Sequence, residues 1–203
     1  MIALVDYGAG NVRSVQKALI AAGGDVRLVS TPDKVTQADA VVLPGVGAFD
    51  DCINAMQRQE LVESIREFIT SGKPFLGICV GYQALFEKSD EFNSCALGMG
   101  VFEGRVIRFS GEEIKIPQIG WNQVDIQKSD CPIFDEIDSG SYFYFVHSYF
   151  PEPRDSSIIA SRTTYGVEFC SAVWNGNVFA TQFHPEKSQK AGIKLLVNFV
   201  GLI

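Results

Sequence analysis

The stretch PFLGICVGYQALF, Pro74 to Phe86, decides how the chain is read. Its opening residues, Phe75-Leu76-Gly77-Ile78, have the composition of a buried strand. Cys79 then stands between Gly77 and Gly81, and Tyr82 to Phe86 reads as a helix. A G-x-C-x-G frame at a strand-to-helix junction removes side chains on both sides of a thiol. The chain can turn sharply there and lift the thiol clear of the sheet. The dipole of a helix beginning at Val80 favours the thiolate, the reactive form. Its first N–H groups are also placed to face a developing oxyanion.

Outward from this elbow, the first half of the chain alternates. Ile2–Val5, Val26–Val29 and Ala40–Leu43 are short apolar runs without period-two alternation, as expected of parallel strands buried on both faces. Gly8–Asn11 (GAGN) reads as a βα turn. It lacks the third glycine of a dinucleotide fingerprint. Val12, Val15, Leu19 and Ala22 share one helical face, which Gly23-Gly24 ends. A long helical region spans Phe49 to Ser71, with a break near Arg58-Gln59 and Gly72 as its stop. The second half reads as strands at Val101–Phe109, Ile114–Ile119, Tyr142–Val146, Ile158–Arg162, Cys170–Trp174 and Val178–Phe183. An Asn-Gly hairpin signal falls in WNGN, Trp174–Asn177. Ser188 is placed to cap a last helix with Ile193, Leu196, Val197 and Val200 inward. The pattern predicts an α/β fold: an open, doubly wound, mostly parallel sheet with an added antiparallel part.

The 203 residues, 46% hydrophobic, suffice for one core, so a single domain over 1–203 is expected. No apolar run is long enough to cross a bilayer, and Met1–Asp6 reads as a first strand, not a signal peptide. A net charge of -7 with interspersed signs argues against nucleic-acid binding, which needs a basic patch. The cysteines, Cys52, Cys79, Cys95, Cys131 and Cys170, are odd in number and widely spread, with no CxxC. Neither they nor the two histidines show metal-ligand spacing. Free thiols in a reducing cytoplasm fit best.

A cysteine nucleophile needs a base. His184 follows an apolar strand in ATQFHPEKS, Ala180–Ser188, and Pro185 biases it toward an extended backbone. In an extended chain His184 and Glu186 point to the same side, so the carboxylate can orient the imidazole and stabilise its cation. Cys79, His184 and Glu186 are therefore the candidate nucleophile, base and orienter. His147, in YFVHSYF, reads as a core-edge or pocket histidine. LPGVGAFDD, Leu43–Asp51, leaves another strand at the same rim as Cys79, with Gly45 and Gly47 exposing the backbone. An N–H from Val46 or Gly47 is placed to complete an oxyanion pair with that of Val80. Glycines beside Val46 make peptide reorientation there inexpensive, so this loop is where activity can be switched.

Together these stretches resemble a class I, triad-type glutamine amidotransferase of flavodoxin-like fold. GICVGYQ, PGVGAF and HPEKS fall in that family's order. DYGAGN, PQIGWN, YFYFVHSY and TQFHPEKS narrow the resemblance to the glutaminase subunits of imidazole glycerol phosphate synthase, over essentially the whole chain. Where this chain has Val80 and Tyr82, the commoner family pattern has Leu and Met. The resemblance implies hydrolysis of glutamine to glutamate and ammonia through a Cys79 thioester, without cofactor or metal. It implies glutamine held by Gly47, Gln83 and the Ser148–Tyr149 segment. It also implies a heterodimer with a separate (β/α)₈ cyclase subunit, docked around Asn11, Trp121, Asn122 and Lys187, with no nucleic acid or membrane involved. A triad glutaminase feeding another synthase would keep the same site and change the partner, and PQIGWN and YFYFVHSY argue against it. A non-catalytic binding module or a cysteine-based stress protein is the alternative that Cys79→Ala separates.

Overall fold

The computed structural model describes residues 1–8, 11–111 and 114–203. The turn read at Gly8–Asn11 lies partly outside them. In chain order the regular elements are β1 (Ile2–Val5), α1 (Val12–Ala21), β2 (Val26–Val29), α2 (Pro32–Thr36), β3 (Ala40–Gly45), α3 (Phe49–Arg58) and α4 (Leu61–Thr70). Then come β4 (Phe75–Cys79), α5 (Val80–Gln83), β5 (Lys88–Ser89), β6 (Gly104–Arg108), β7 (Gln118–Ile126) and β8 (Ser141–His147). The chain finishes with β9 (Tyr149–Pro153), β10 (Ile159–Tyr165), β11 (Val167–Asn175), β12 (Val178–Thr181) and α6 (Gln189–Val200).

Nine strands form one mixed sheet in the order β2-β1-β3-β4-β12-β11-β10-β7-β8. From β2 to β12 every pairing is parallel, and from β12 to β8 every pairing is antiparallel. The sheet is therefore half parallel, not mostly parallel as the sequence suggests. β1, β3, β4 and β12 are buried at every residue or nearly so, which explains their unbroken apolar runs. β2 departs from expectation. It is the edge strand, and Arg27 and Leu28 are exposed. α1 packs beside α6, and α4 packs with α2 and α3.

Both helix punctuations are realised. Gly23 and Gly72 take positive φ, +94° and +80°, after α1 and α4, a conformation that costs glycine little. The region Phe49–Ser71 divides into α3 and α4 around Glu60, whose φ is 57°. α5 is a single turn, not the helix expected through Phe86. In α6 the inward residues are Leu195, Leu196 and Phe199, while Val197 is exposed. The Ser188 hydroxyl does not cap this helix. It donates to the His184 carbonyl and accepts from the Tyr144 N–H.

In the antiparallel half the Asn-Gly signal marks a tight hairpin between β11 and β12, with Asn175 opposite Val178. The strand expected at Ile114–Ile119 starts at Gln118 and runs on to Ile126. A small sheet, β5-β6-β9, was not legible in the sequence. It matters because β9 pairs Tyr149 with Arg108, and the Phe109 N–H bonds the Ser148 carbonyl at 3.0 Å. That ties the Ser148–Tyr149 segment in place.

Candidate active site

The parallel half brings three strand ends to one rim. In register, Gly45 of β3 lies beside Cys79 of β4, and Thr181 of β12 lies beside Ile78. The loop after β3 and the segment after β12 therefore flank the end of β4. Ligands of open α/β sheets bind at this carboxyl edge.

Cys79 has φ 55° and ψ -111°, a backbone state that costs a non-glycine residue about 1–3 kcal/mol. The glycine at position 81 is required by close packing. A Cβ on Gly81 would lie 2.0 Å from the Leu43 carbonyl oxygen of β3. The elbow thus lies directly on the neighbouring strand, and that contact holds the strained cysteine. Gly47 is needed for a different reason, its φ of +91° in the loop after β3. Beneath that loop the Tyr7 hydroxyl donates to the Pro44 carbonyl at 2.9 Å and accepts from the Cys52 thiol at 3.2 Å.

A cavity of about 400 Å³ opens over the elbow, within the usual range for small-molecule sites. Cys79, Val80, Val46, Gly47, Gln83, Ser148, Tyr149, His184 and Lys187 all line it. His184 Nδ1 meets Glu186 Oε1 at 2.8 Å, and both side chains are buried. The pairing arises differently from the strand alternation anticipated. His184 is extended, but Pro185–Lys187 forms a 3₁₀ turn that brings the carboxylate back to the ring. The rest of the segment is pinned: the His184 N–H donates to the Tyr144 carbonyl at 2.9 Å, and Ser188 holds the His184 carbonyl. His184 Nε2 is buried without a hydrogen bond of its own. Burial works against protonating His184, but a charge on the Cys79 sulfur and then Glu186 outweigh it, pushing the pKa up to about 10. Buried imidazolium beside a carboxylate is the arrangement that serves a thiolate nucleophile.

His147 behaves as a pocket and core residue. Burial pushes its pKa down to about 4, so the ring is neutral. Its Nδ1 lies 2.8 Å from the Tyr149 carbonyl and its Nε2 3.1 Å from the end of the Gln118 amide. With one proton on the ring, Nδ1 donates to the carbonyl and the Gln118 amide turns its N–H₂ to Nε2. Burial also pushes Cys52, Cys131 and Cys170 up to about 12. That leaves them inert and structural. Among the described residues no group of His, Cys, Asp or Glu could hold a metal, and no helix is long and apolar enough to cross a membrane.

The residues assigned to docking divide. On β7 Trp121 is 45% exposed and Ile119 62%. The Trp121 ring meets Tyr144 edge-on at 6.1 Å, and Lys187 Nζ lies 5.7 Å over the same tyrosine. Trp121 and Lys187 thus share one patch at the cavity mouth. Asn11 is exposed at the start of α1, which packs against the Pro185–Lys187 turn. Asn122 points to the other face of β7 and donates to the Thr164 carbonyl at 2.9 Å.

Two site residues escaped the sequence. Gln182, fully buried, donates from Nε2 to Cys79 Sγ at 3.6 Å. It stands two residues before His184, so strand alternation could have flagged it. Glu91 lines the cavity, and its Oε2 accepts the Phe49 N–H at 2.7 Å. It opens a 3₁₀ turn, Glu91–Asn93, too short to give a periodic signal.

The chain matches the model of the family "Glutamine amidotransferase class-I" over residues 3–201. It is 50% identical to "Imidazole glycerol phosphate synthase subunit HisH" of Syntrophotalea carbinolica, covering 98% of each chain. The HisH subunit of Geobacter sulfurreducens is 48% identical, with 98% and 97% covered. In fold it resembles PurLQS from Thermotoga maritima (TM-score 0.79, 21% identity, 98% and 97% covered). It likewise resembles the glutaminase domain of Trypanosoma brucei CTPS (TM-score 0.69, 15% identity, 100% and 94% covered). By its elbow, by the family match along nearly all its length and by relatives at half identity, this chain belongs to the class-I glutamine amidotransferases, among the HisH subunits of imidazole glycerol phosphate synthase.

Proposed function

We propose that the chain works as a single glutaminase unit in which Cys79, His184 and Glu186 carry the chemistry. The observation behind this is the buried His184–Glu186 pair set beside a strained Cys79 at one cavity. The Cys79 thiolate attacks the side-chain amide carbon of glutamine, and the carbonyl electron pair moves to oxygen. The Val80 N–H and one from Val46 or Gly47 receive that oxyanion. His184 gives its proton to the departing nitrogen, ammonia leaves, and a glutamyl thioester remains. Water then gives a proton back to His184 as it attacks the thioester. Glutamate leaves and the thiolate–imidazolium pair returns. Glu186 keeps the imidazole oriented throughout.

Substrate recognition follows from donor counts. Gln83 Nε2 gives its hydrogens to the Tyr149 carbonyl at 3.0 Å and the Gln182 amide oxygen at 3.1 Å. What remains of Gln83 for a ligand is Oε1, an acceptor. That acceptor and the Glu91 carboxylate suit the α-ammonium of an amino acid. Gly47 and the Ser148–Tyr149 segment suit its carboxylate and amide.

Ammonia passes to a (β/α)₈ cyclase subunit docked over the cavity mouth, in a heterodimer of the cytoplasm, where thiols such as Cys52, Cys131 and Cys170 persist without disulfides. The Trp121–Tyr144–Lys187 patch and Asn11 form the docking face. Asn122 acts on it indirectly, through the Thr164 carbonyl. The test is glutamate release from glutamine by the purified chain, alone and with the cyclase and its nucleotide acceptor. Cys79-dependent release that rises with both is expected. Release indifferent to that cyclase would overturn the partner assignment, and release surviving Cys79→Ala would overturn the mechanism.

A further inference from the structure

A chain of buried polar groups runs from the antiparallel half to the reacting sulfur, and its polarity is fixed. The Tyr149 carbonyl can only accept. It takes hydrogen bonds from Gln83 Nε2 at 3.0 Å and from His147 Nδ1 at 2.8 Å, which fixes the Nδ1–H tautomer of the neutral ring. The second Gln83 Nε2 hydrogen goes to Gln182 Oε1 at 3.1 Å. Gln182 is left with its own Nε2 toward Cys79 Sγ, 3.6 Å away. Turning the Gln83 amide over would set its oxygen against the Tyr149 carbonyl, and turning the Gln182 amide over would set two N–H₂ groups against each other. The assignment therefore follows from the chain of partners and does not depend on which end of an amide was drawn as nitrogen. Gln83, Gln182 and His147 are all buried.

A donor aimed at sulfur contributes little to a thiol, a weak acceptor, and much more to a thiolate. We infer that Gln182 is a second protein partner of the reacting sulfur, holding Cys79 as thiolate with a neutral N–H donor while His184 supplies the cation. This rests on Cys79 being the nucleophile. It assigns the glutamine of TQFHPEKS a part in the reaction, where core packing would need only an apolar side chain.

The other titratable groups around Cys79 are His184 with Glu186 behind it and, beneath the elbow, Tyr7 and Cys52, both kept protonated by burial. Glu91 and Lys187 complete the charged lining of the cavity. None of them bonds Gln182 among the described residues, but Gln83 Nε2 does, so Gln182→Met removes that acceptor together with the donor, whereas Gln182→Glu keeps the acceptor and removes only the donor. In the whole protein, Gln182→Met keeps the length and removes the N–H. Iodoacetamide alkylation of Cys79 near neutral pH is expected to slow about tenfold, the effect of losing one hydrogen bond to a charged group. Its pH midpoint is expected to move up, and kcat to fall more than KM rises. Gln182→Glu, the same shape with a negative charge facing the sulfur, is expected to move the midpoint further. A folded variant with unmoved midpoint and unchanged alkylation overturns the inference. The wild-type protein gives an independent reading: the Gln182 side-chain amide resonance must titrate with the thiol and stop doing so in Cys79→Ala. A resonance indifferent to Cys79 also overturns it. Glutamate release by Cys79→Ala would instead sink the nucleophile assignment itself, so the two failures are distinguishable.

Discussion

The two halves of the nine-stranded sheet do different work. The parallel half is buried on both faces at β1, β3, β4 and β12, and its strand ends bring Cys79, the proposed base His184 and the proposed oxyanion loop to one rim. In the antiparallel half β10 and β11 are largely buried, but the outer pair β7 and β8 keeps one face open. β8 alternates buried Phe143, Phe145 and His147 with less buried residues, and β7 carries exposed Ile119 and Trp121 beside it. On the proposed function, strand direction separates chemistry from coupling. Parallel strands gather loops at one edge, whereas antiparallel strands leave a solvated face for a partner.

Changes in the parallel half should strike chemistry whether or not a partner is present. Cys79→Ala should lower glutamate release by about 10⁴-fold or more, as for other nucleophile removals, with the circular dichroism spectrum unchanged. Residual release above that level would contradict the division of labour. Glu186→Gln should cost about 10²-fold in kcat and lower the His184 pKa, read by NMR, because the carboxylate is one of the charges that raise it. Gly81→Ala must push a Cβ against the Leu43 carbonyl, so a stability loss of about 3 kcal/mol is expected from chemical denaturation. A loss under about 1 kcal/mol would mean that the elbow is less tightly seated on β3.

Protonation probes the same half. His184 rises from an ordinary value near 6.5 to about 10 in the folded chain. The stability it contributes is therefore fully present below about 6.5 and is lost as pH climbs through about 10. The unfolding free-energy difference between wild type and Cys79→Ala should shrink over that window, because the sulfur is the leading charge that raises the histidine. A difference constant across the window would exclude a thiolate–imidazolium pair. The smallest effect belongs to the antiparallel half. Trp121→Ala should change stability by about 0.5 kcal/mol or less and leave glutaminase activity without partner intact. Cyclase affinity, measured by calorimetry, should fall. Loss of partner-free activity would show that the two halves are not independent.

The legible elements share a cause. The runs Ile2–Val5, Ala40–Leu43 and Phe75–Ile78 were readable because strands buried on both faces leave no alternation to misread. Cys79, His184 and Glu186 were readable because each lies in a short local frame of glycines or proline. β2 was misplaced because apolar character alone does not tell an edge strand from a central one. Glu91 was missed because a single 3₁₀ turn carries no period, and β9 because Tyr149–Pro153 is a short strand holding two prolines and no clean alternation.

Local sequence was therefore enough for the elbow, the order of the motifs and the candidate reacting groups, since these depend on contacts within a few residues. It took the tertiary structure to bring Glu186 to His184 through a 3₁₀ turn, to face Asn122 away from Trp121, and to point a Gln182 donor at Cys79. The turn is pinned by Tyr144, 44 residues before Ser188. The Asn122 and Gln182 contacts join groups 42 and 103 residues apart. Strand register and burial set such contacts, and short-range pattern carries no record of them.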